Sequence, residues 1–411
     1  MSDPGNVAWM LVASALVLLM TPGLAFFYGG LVRGKNVVST MMYSYVAMGV
    51  VSILWVLWGY SLAFGAGGDF IGNFDFVGFK DVSAEGEDGN ISPMLFAIFQ
   101  MMFAIITPAL ITGAFVERFK FTTYIVFLFV WVTLVYVPVT HWVWASDGWI
   151  AGIGALDFAG GIVVHASAGI AAIVVAKMVG SRRQVERGVE PHNVPYVLLG
   201  TGLLWFGWFG FNAGSGLLAD STATMAFLVT NTSAAAAGLI WMVLEYQSIG
   251  KTSGVGFATG AIAGLASITP AAGFVGPMGA LAIGLVGGFA AYMAVKMMAK
   301  TGIDDALEVF AVHGVGGIWG TLATGIFAIQ QMDDSGTLQN VGLINGEVDL
   351  LWANVRAVVA VAVYSGVATL VILKILDVIP GLGLRVENSA EDIGLDLSLH
   401  GERGYVSDGA D

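Results

Sequence analysis

Two stretches of this 411-residue chain share one pattern: residues 157–170, DFAGGIVVHASAGI, and residues 305–318, DALEVFAVHGVGGI. Each begins with an aspartate and places one histidine eight residues later, His165 and His313, inside a predominantly apolar run. The whole chain has only five histidines. Two of them in matching contexts indicate that two parts of the chain are related, and the sequence around them indicates how.

The composition is that of a membrane protein. Hydrophobic residues make up 57% of the chain and charged residues 11%, and the mean hydropathy is +0.82, whereas soluble domains have about 25% charged residues. Apolar stretches of about 18 to 25 residues recur, long enough to cross the hydrocarbon core as helices. The absence of cysteine excludes disulfides and thiol catalysis. The net charge of -13 lies largely in loops and tail and indicates no particular partner.

These stretches predict an all-α polytopic membrane protein with eleven transmembrane helices. We read the apolar N-terminal run as the first span, because the basic region that opens a signal peptide is missing. The predicted spans start near Val7, Val37, Pro93, Thr122, Phe158, Val194, Thr222, Gly254, Pro277, Ala306 and Val355.

Loop charges predict the orientation of these spans. Loops after odd-numbered spans carry Arg33, Lys35, Arg118, Lys120, Lys177, Arg182, Arg183, Arg187, Lys251, Lys296 and Lys300. Loops after even-numbered spans carry only Lys80 and Arg356. Because positive loops stay in the cytoplasm, we expect the N-terminus outside and the C-terminus inside.

The two histidines then predict an inverted repeat. His165 falls on span 5 and His313 on span 10, so the two helices run in opposite directions, as expected when spans 1–5 repeat as spans 6–10 and an eleventh helix is added. Eight residues at about 1.5 Å each place either imidazole roughly 12 Å deep, from opposite faces of a core about 30 Å thick. We therefore expect the two rings to be neighbours near the midplane.

An ionisable group inside a bilayer is costly and is commonly functional. The pair has three interpretations: a structural hydrogen bond between helices, a metal site, or a polar strip in a pore. Histidine metal sites recruit further ligands, and the other histidines, His141, His192 and His400, are predicted to be peripheral, so we expect no metal. Two neutral imidazoles sharing a hydrogen can guide a small molecule with N–H or O–H groups, or relay a proton.

The predicted outer ends of spans 4 and 6 form a second constellation, THWVWASDG and GWFGFNAGSG. Tryptophans at such positions are usually interfacial anchors, which is our interpretation of Trp142. Trp144, Phe211 and Ser215 are instead placed where π faces and a hydroxyl can hold a small cation, at about 0.5 to 2 kcal/mol per cation–π contact.

These motifs resemble the ammonium transporter (Amt/Mep/Rh) family, and within it the Amt branch. The resemblance runs from TPGLAFFYGGLVRGKN (21–36) through DFAGG with VVHASAGI, GWFGFNAGS (207–215), ITPAAGFVGPMGA (268–280) and FAVHGVGGI to GLRVENSAEDIGLDLSLHGERGY (383–405). It implies a homotrimer in the cytoplasmic membrane with one pore through each subunit.

The resemblance also implies roles for individual residues. Ammonium recruitment would fall to Phe103, Trp144 and Ser215, a stacked gate to Phe103 and Phe211, and the pore pair to His165 and His313. Supporting positions are Asp157, Trp208 and Gln100. We interpret Asp157 chiefly as the N-terminal cap of span 5, where a carboxylate is favourable, with attraction of the cation second.

The implied activity is recruitment of external ammonium, its deprotonation, and passage of ammonia through a hydrophobic pore, with net electrogenic transport and with methylammonium as a second substrate. No cofactor and no nucleic acid are expected.

We expect a membrane domain over residues 1–378, with repeats over about 7–180 and 194–328, and a cytoplasmic tail over 379–411. The tail composition is typical of disorder, whereas the resemblance implies an ordered segment that docks a PII-type signal protein.

Two alternatives stay open. An ammonium sensor of the same fold would bind in the pore and report through the tail. A membrane metalloenzyme would use the histidines as ligands and would carry stoichiometric metal.

Overall fold

Long apolar helices account for most of the residues that the computed structural model describes, which are 2–86, 90–185, 189–329, 331–332, 338–339 and 342–405. Ten of these helices are long and apolar enough to cross a membrane, and one shorter apolar helix, Gly254–Ile268, lies among them. We number them in chain order as α1 Pro4–Leu31, α2 Gly34–Phe64, α3 Pro93–Ala114, α4 Phe121–Gly152, α5 Gly161–Val179, α6 Val194–Gly214, α7 Ser221–Ile249, α8 Gly254–Ile268, α9 Pro277–Met298, α10 Phe310–Phe327 and α11 Asp349–Val378. The prediction of an all-helical polytopic membrane protein is confirmed.

The remaining described elements are small. Two-residue strands β1 (Gln331–Met332) and β2 (Leu338–Gln339) pair antiparallel between α10 and α11. After α11 the chain forms the short helix α12, Asn388–Ile393, and a π-helical turn, Asp396–His400. The predicted tail positions 406–411 lie outside the described residues.

Capping side chains mark where several helices begin. Asp3, Ser92, Asn193, Asp220 and Ser253 each accept a hydrogen bond from a backbone N–H in the first turn of the helix that follows. These N–H groups have no partner inside the helix, so a short polar side chain at this point stabilises the start. The observed starts consequently lie within a few residues of the predicted ones.

Helices α1 and α6, the first of each predicted repeat, pack against each other through glycine. A Cβ atom on Gly30 would lie 2.7 Å from the backbone nitrogen of Val197, and one on Gly207 would lie 2.3 Å from Cγ of Met20. Early residues of α1 therefore face late residues of α6, so the two helices are antiparallel. This is the arrangement expected of an inverted repeat, in which symmetry-related helices meet at the central axis.

The loops after α1, α3, α5 and α9 meet at one end of the bundle, which we call the tail face because the C-terminal segment packs there. Lys35 Nζ donates to the carbonyl oxygens of Glu391 and Asp392, at 2.9 and 2.7 Å. Arg183 Nε donates to Asp392 Oδ1 at 2.9 Å, and this hydrogen bond lowers the pKa of Asp392. Lys120 Nζ donates to the carbonyl oxygen of Leu382 at 2.7 Å. Basic loops thus hold an acidic tail, on whichever side of the membrane this face lies.

Glu391 is the most deeply buried charge of the tail, with 1% of its surface exposed. Its Oε2 accepts from Arg385 Nη2 at 2.7 Å and its Oε1 accepts from the backbone N–H of Arg183 at 2.5 Å. Both carboxylate oxygens of Glu391 therefore accept hydrogen bonds, and these bonds hold the described part of the tail in an ordered position against its own chain.

We expect Glu391→Gln to loosen the tail, because the substitution turns one acceptor oxygen into a donor facing another donor and removes a buried charge pair. The cost of breaking such a pair is roughly 3 kcal/mol. Hydrogen exchange and limited proteolysis of residues 379–405 should both accelerate. Glu387→Gln is the matched control, since Glu387 is exposed and its side chain caps nothing. Equal protection in both variants would contradict the assignment.

Candidate functional site

The two predicted histidines lie side by side in the structure. Nδ1 of His165 and Nδ1 of His313 are 3.2 Å apart, and the rings are inclined by only 15°. Just 1% and 3% of their surfaces are exposed. One hydrogen shared between the two nitrogens makes one ring the donor and the other the acceptor, so two neutral imidazoles satisfy the contact.

Matching local geometry brings the rings together. Each histidine lies in a π-helical turn at the start of its helix, Gly161–Ala166 in α5 and Phe310–Gly314 in α10. Such turns are rare and concentrate at functional sites. The two helices cross through glycines: a Cβ on Gly169 would lie 2.2 Å from Cα of Gly314, and one on Gly317 would lie 2.5 Å from the carbonyl oxygen of Gly161. The crossing is antiparallel, with later residues of α5 facing earlier residues of α10.

Asp157 closes the N-terminus of α5. Its two carboxylate oxygens accept from four consecutive backbone N–H groups, at 2.8, 2.6, 2.7 and 3.1 Å. Its own carbonyl oxygen accepts from Trp144 Nε1 at 2.8 Å. Asp305 has a related but less complete role, since its Oδ2 accepts from the backbone N–H of Phe310 at 2.7 Å. Asp157 therefore sets both the start of the histidine helix and the position of a predicted recruitment residue.

Asp157→Asn should destabilise the protein by about 2 kcal/mol or more, because the amide nitrogen would face backbone N–H donors and the charge-assisted bonds would be lost. Thermal unfolding of the variant in detergent measures this loss of stability. The matched control is Asp220→Asn, an exposed helix cap where asparagine serves as well as aspartate. A melting temperature equal to that of the control would contradict the role of the four-donor cap.

The predicted recruitment residues Phe103, Trp144 and Ser215 line one cavity of about 150 Å³ at the opposite end of the bundle, which we call the mouth face. The ring centroids of Phe103 and Phe211 are 4.3 Å apart, and Trp144 stands edge-on to Phe103 at 5.8 Å. Ser215 Oγ donates its hydrogen to the carbonyl oxygen of Phe211, which leaves its lone pairs free to accept. The cavity lining is Phe96, Phe99, Gln100, Phe103, Trp144, Phe158, Ser215 and Leu217.

Behind the phenylalanine pair lies a small cavity of about 10 Å³, close to the minimum for one water molecule. Trp208 lies nearly parallel to the ring of His165, with centroids 5.4 Å apart, and its Nε1 donates to Thr269 Oγ1. His165 Nε2 is buried without a hydrogen-bond partner among the described residues. Apart from the two histidines the lining is Met20, Leu24, Phe27, Ile106, Leu110, Val164, Leu204, Trp208, Phe211 and Ile262.

A third cavity, of about 370 Å³, leads from His313 to the tail face. It is lined by Asp305 and Glu308 and by the ion pair of Arg182 with Asp304. Burial raises the pKa of Asp305 to about 6 and that of Glu308 to about 7. His313 borders both this cavity and the small one, and the contact of Phe103 with Phe211 lies between the small one and the mouth, so the three cavities follow one another through the bundle.

A sequence model described as Ammonium Transporter Family matches residues 8–405. The chain belongs to the ammonium transporter family.

Among curated relatives of this family member, the ammonium transporter of Bacillus subtilis is 46% identical over 404 residues, 98% of each chain. Ammonium transporter Amt1 of Archaeoglobus fulgidus is 46% identical over 408 residues, which cover 99% of this chain and all of the relative. Of solved structures, Saccharomyces cerevisiae Mep2 superposes with a TM-score of 0.87 at 39% identity, over 94% of this chain and 91% of that one. The resemblance inferred from the motifs is confirmed.

In this member of the ammonium transporter family, the polar and aromatic residues singled out in the sequence border the three cavities, whereas most of the lining of the small cavity was not predicted. Phe27, Ile106, Leu204 and Ile262 carry no signal in the sequence, since each is an ordinary apolar residue of a membrane helix. Glu308 did carry one, because an acid shortly before a pore histidine is unusual. Among the described residues no group of three or more His, Asp or Glu side chains converges as metal ligands do.

Proposed function

We propose that this chain moves ammonium nitrogen across the cytoplasmic membrane by recruiting the ammonium ion at the mouth face and passing ammonia along the histidine pair. The observation that carries the proposal is the single line of cavities, which runs from an aromatic pocket, past two stacked phenylalanines and two hydrogen-bonded histidines, to an acidic chamber.

Recruitment rests on the aromatic pocket. Trp144 and Phe103 present π faces and edges to the same 150 Å³ space, and Ser215 supplies a hydroxyl oxygen that can accept an N–H bond. Gln100 adds a buried Oε1 without a partner among the described residues. Each cation–π contact contributes about 0.5 to 2 kcal/mol, enough to concentrate a small cation at the mouth without trapping it.

Deprotonation follows from the size and polarity of the next compartment. A cavity of about 10 Å³ with an almost entirely apolar lining cannot hold a hydrated cation, and burying an unpaired charge costs many kcal/mol. Ammonium avoids this cost by releasing H⁺ and continuing as NH₃. Potassium has no proton to release, so the same barrier excludes it. We propose that the proton crosses separately, which makes transport electrogenic.

The histidine pair supplies the polar contacts that neutral ammonia needs inside this barrier. Nε2 of His165 is buried without a partner among the described residues and offers a site for one hydrogen bond, and the hydrogen shared with His313 fixes which ring donates. Neither ring need carry charge, so the pair favours a neutral guest over a cation. Asp305 and Glu308 give the emerging ammonia an acidic compartment in which it can regain a proton.

The test is current in proteoliposomes that contain the full chain. Ammonium pulses should evoke current, methylammonium a smaller one, and potassium none. An equal response to potassium would refute the dry-pore mechanism, and ammonia flux without current would refute the electrogenic step alone.

One solved relative is titled Sensor Amt Protein and superposes with a TM-score of 0.87 at 31% identity, over 96% of this chain and 98% of that one. A sensor is therefore the second candidate function, with ammonium binding in the pore and the docked tail as reporter. Ammonium binding without steady current would favour it.

We further propose that the chain assembles as a homotrimer and that the tail face is cytoplasmic and docks a PII-type protein. Asn231 supports an assembly interface, because it is exposed in the middle of α7, where lipid offers an amide no hydrogen bond. Mass measurement of the detergent-extracted complex tests the assembly, and a monomer in native lipid extract would contradict it.

A further inference from the structure

His141 is a buried histidine that the transport pathway does not use. It lies in the stretch Val137–Trp144 of α4, none of its surface is exposed, and both ring nitrogens face backbone carbonyl oxygens. Nδ1 is 2.9 Å from the carbonyl oxygen of Ala63, and Nε2 is 2.6 Å from that of Gly68. A neutral imidazole has one N–H and one bare nitrogen, so it can satisfy only one of these contacts. An imidazolium donates to both.

The surroundings favour a positive ring at this position. Ala63 lies in the last turn of α2, where helix carbonyls lack intrahelical partners and carry the negative end of the helix dipole. Asp147 Oδ1 is 3.7 Å from Nε2, and Oδ2 of the same carboxylate accepts from the backbone N–H groups of Gly67 and Gly68. Two carbonyl oxygens and one carboxylate therefore surround a single ring.

The same contacts attach the loop after α2 to the end of α4. Besides the bonds of His141 and Asp147, Trp142 Nε1 donates to the carbonyl oxygen of Phe70 at 2.8 Å, and the backbone N–H of Trp149 donates to that of Asp69 at 3.1 Å. Trp144, which borders the mouth cavity, is three residues after His141 and ends the same stretch, Val137–Trp144.

We propose that His141 is a doubly protonated imidazolium that fixes the loop after α2 to the end of α4 and thereby positions Trp144 in the recruitment pocket. His141 is a positioning residue, since it does not line the mouth cavity. Its protonation state is independent of what the pore carries, whereas its effect on recruitment rests on the proposed function.

A neutral ring at this position would leave one of the two carbonyl oxygens facing a bare nitrogen, so loss of the positive charge would loosen the loop.

Nitrogen-15 NMR of histidine-labelled full-length protein in lipid nanodiscs tests the protonation state. Near pH 6 the signals that disappear in His141→Gln should show a bonded hydrogen at both ring nitrogens, and an unprotonated ring nitrogen in them would overturn the proposal. If His141→Gln does not fold, the His192→Gln, His400→Gln and pore-histidine variants assign the remaining pair by elimination, with the same two readings.

Currents test the positioning role. The currents are recorded at one fixed pH, and KM is expressed as ammonium ion concentration. His141→Gln should have a KM severalfold above that of the wild type, and its maximal current should stay close to that of the wild type. His400→Gln, a change at the tail face, should follow the wild type. Equal KM values for His141→Gln and the wild type would overturn the positioning role, whereas absence of any ammonium current would refute the transport function and leave the NMR result standing.

Discussion

Replacing both pore histidines, His165→Ala with His313→Ala, is expected to abolish the proton-coupled ammonium current or to let potassium pass. The double change removes the shared hydrogen between the two Nδ1 atoms and the only imidazoles of the small cavity. Ammonia then meets an apolar compartment without a hydrogen-bond partner, or water enters the enlarged space and hydrates cations that the dry pore excluded. In either case the ammonium current or the potassium current of the double variant should differ from that of the wild type by a large factor.

Sequential pulses of ammonium and potassium on one proteoliposome preparation distinguish the two results. His400→Ala is the matched control, because His400 lies at the tail face and its ring packs on Phe121, away from the pore. A double variant with wild-type current and wild-type selectivity would refute a pore role for the pair.

The second large effect is expected from Gly169→Ala. The added methyl carbon would lie 2.2 Å from Cα and 2.3 Å from the backbone nitrogen of Gly314, so α5 and α10 must separate. Overpacking of this kind costs about 1 to 3 kcal/mol when side chains can adjust, and here the contact is with backbone, which cannot. The residue beside the clash is His313, so the imidazole pair should separate along with the helices.

Thermal unfolding and ammonium current of the purified variant measure the two consequences. Gly202→Ala is the control, since among the described residues no atom beyond its chain neighbours and the backbone of its own helix lies within 4 Å of a Cβ at that position of α6. Alanine there should be neutral or stabilising by about 0.5 to 1 kcal/mol. If both alanine variants unfold at the same temperature and carry equal ammonium currents, the close crossing of α5 and α10 does not hold the histidine pair in place.

The sequence predicted helix positions well where polar breaks are sharp. The predicted starts at Pro93, Val194 and Gly254 coincide with observed helix starts, because a capping residue precedes each apolar run. Span 10 was expected near Ala306 but begins at Phe310, because Asp305 caps the helix from five residues upstream and the chain between them is irregular. The loop pattern that predicted the orientation agrees with several odd loops meeting at one face, and the side of the membrane on which that face lies stays a prediction.

The chemical kinds of residue in the site were also readable from the sequence. Some residues differ from the aliphatic residues usual in a membrane helix, and this makes them visible in the sequence. They are His165, His313, the aromatic residues of the mouth and the capping Asp157. His141 also differs in this way, yet it was taken as peripheral, since a sequence cannot show that two carbonyl oxygens face one ring.

By itself, the sequence determined which segments form membrane helices, that two halves of the chain are related, and which few polar groups enter the apolar interior. Tertiary structure alone decided which faces of those helices meet, and so that two nitrogens 148 residues apart in the chain lie 3.2 Å from each other. The physical reason is that helices in lipid are apolar on every side, so no amphipathic pattern marks the inner face. Which face turns inward depends on glycines that let distant segments approach closely, such as Gly169 against Gly314.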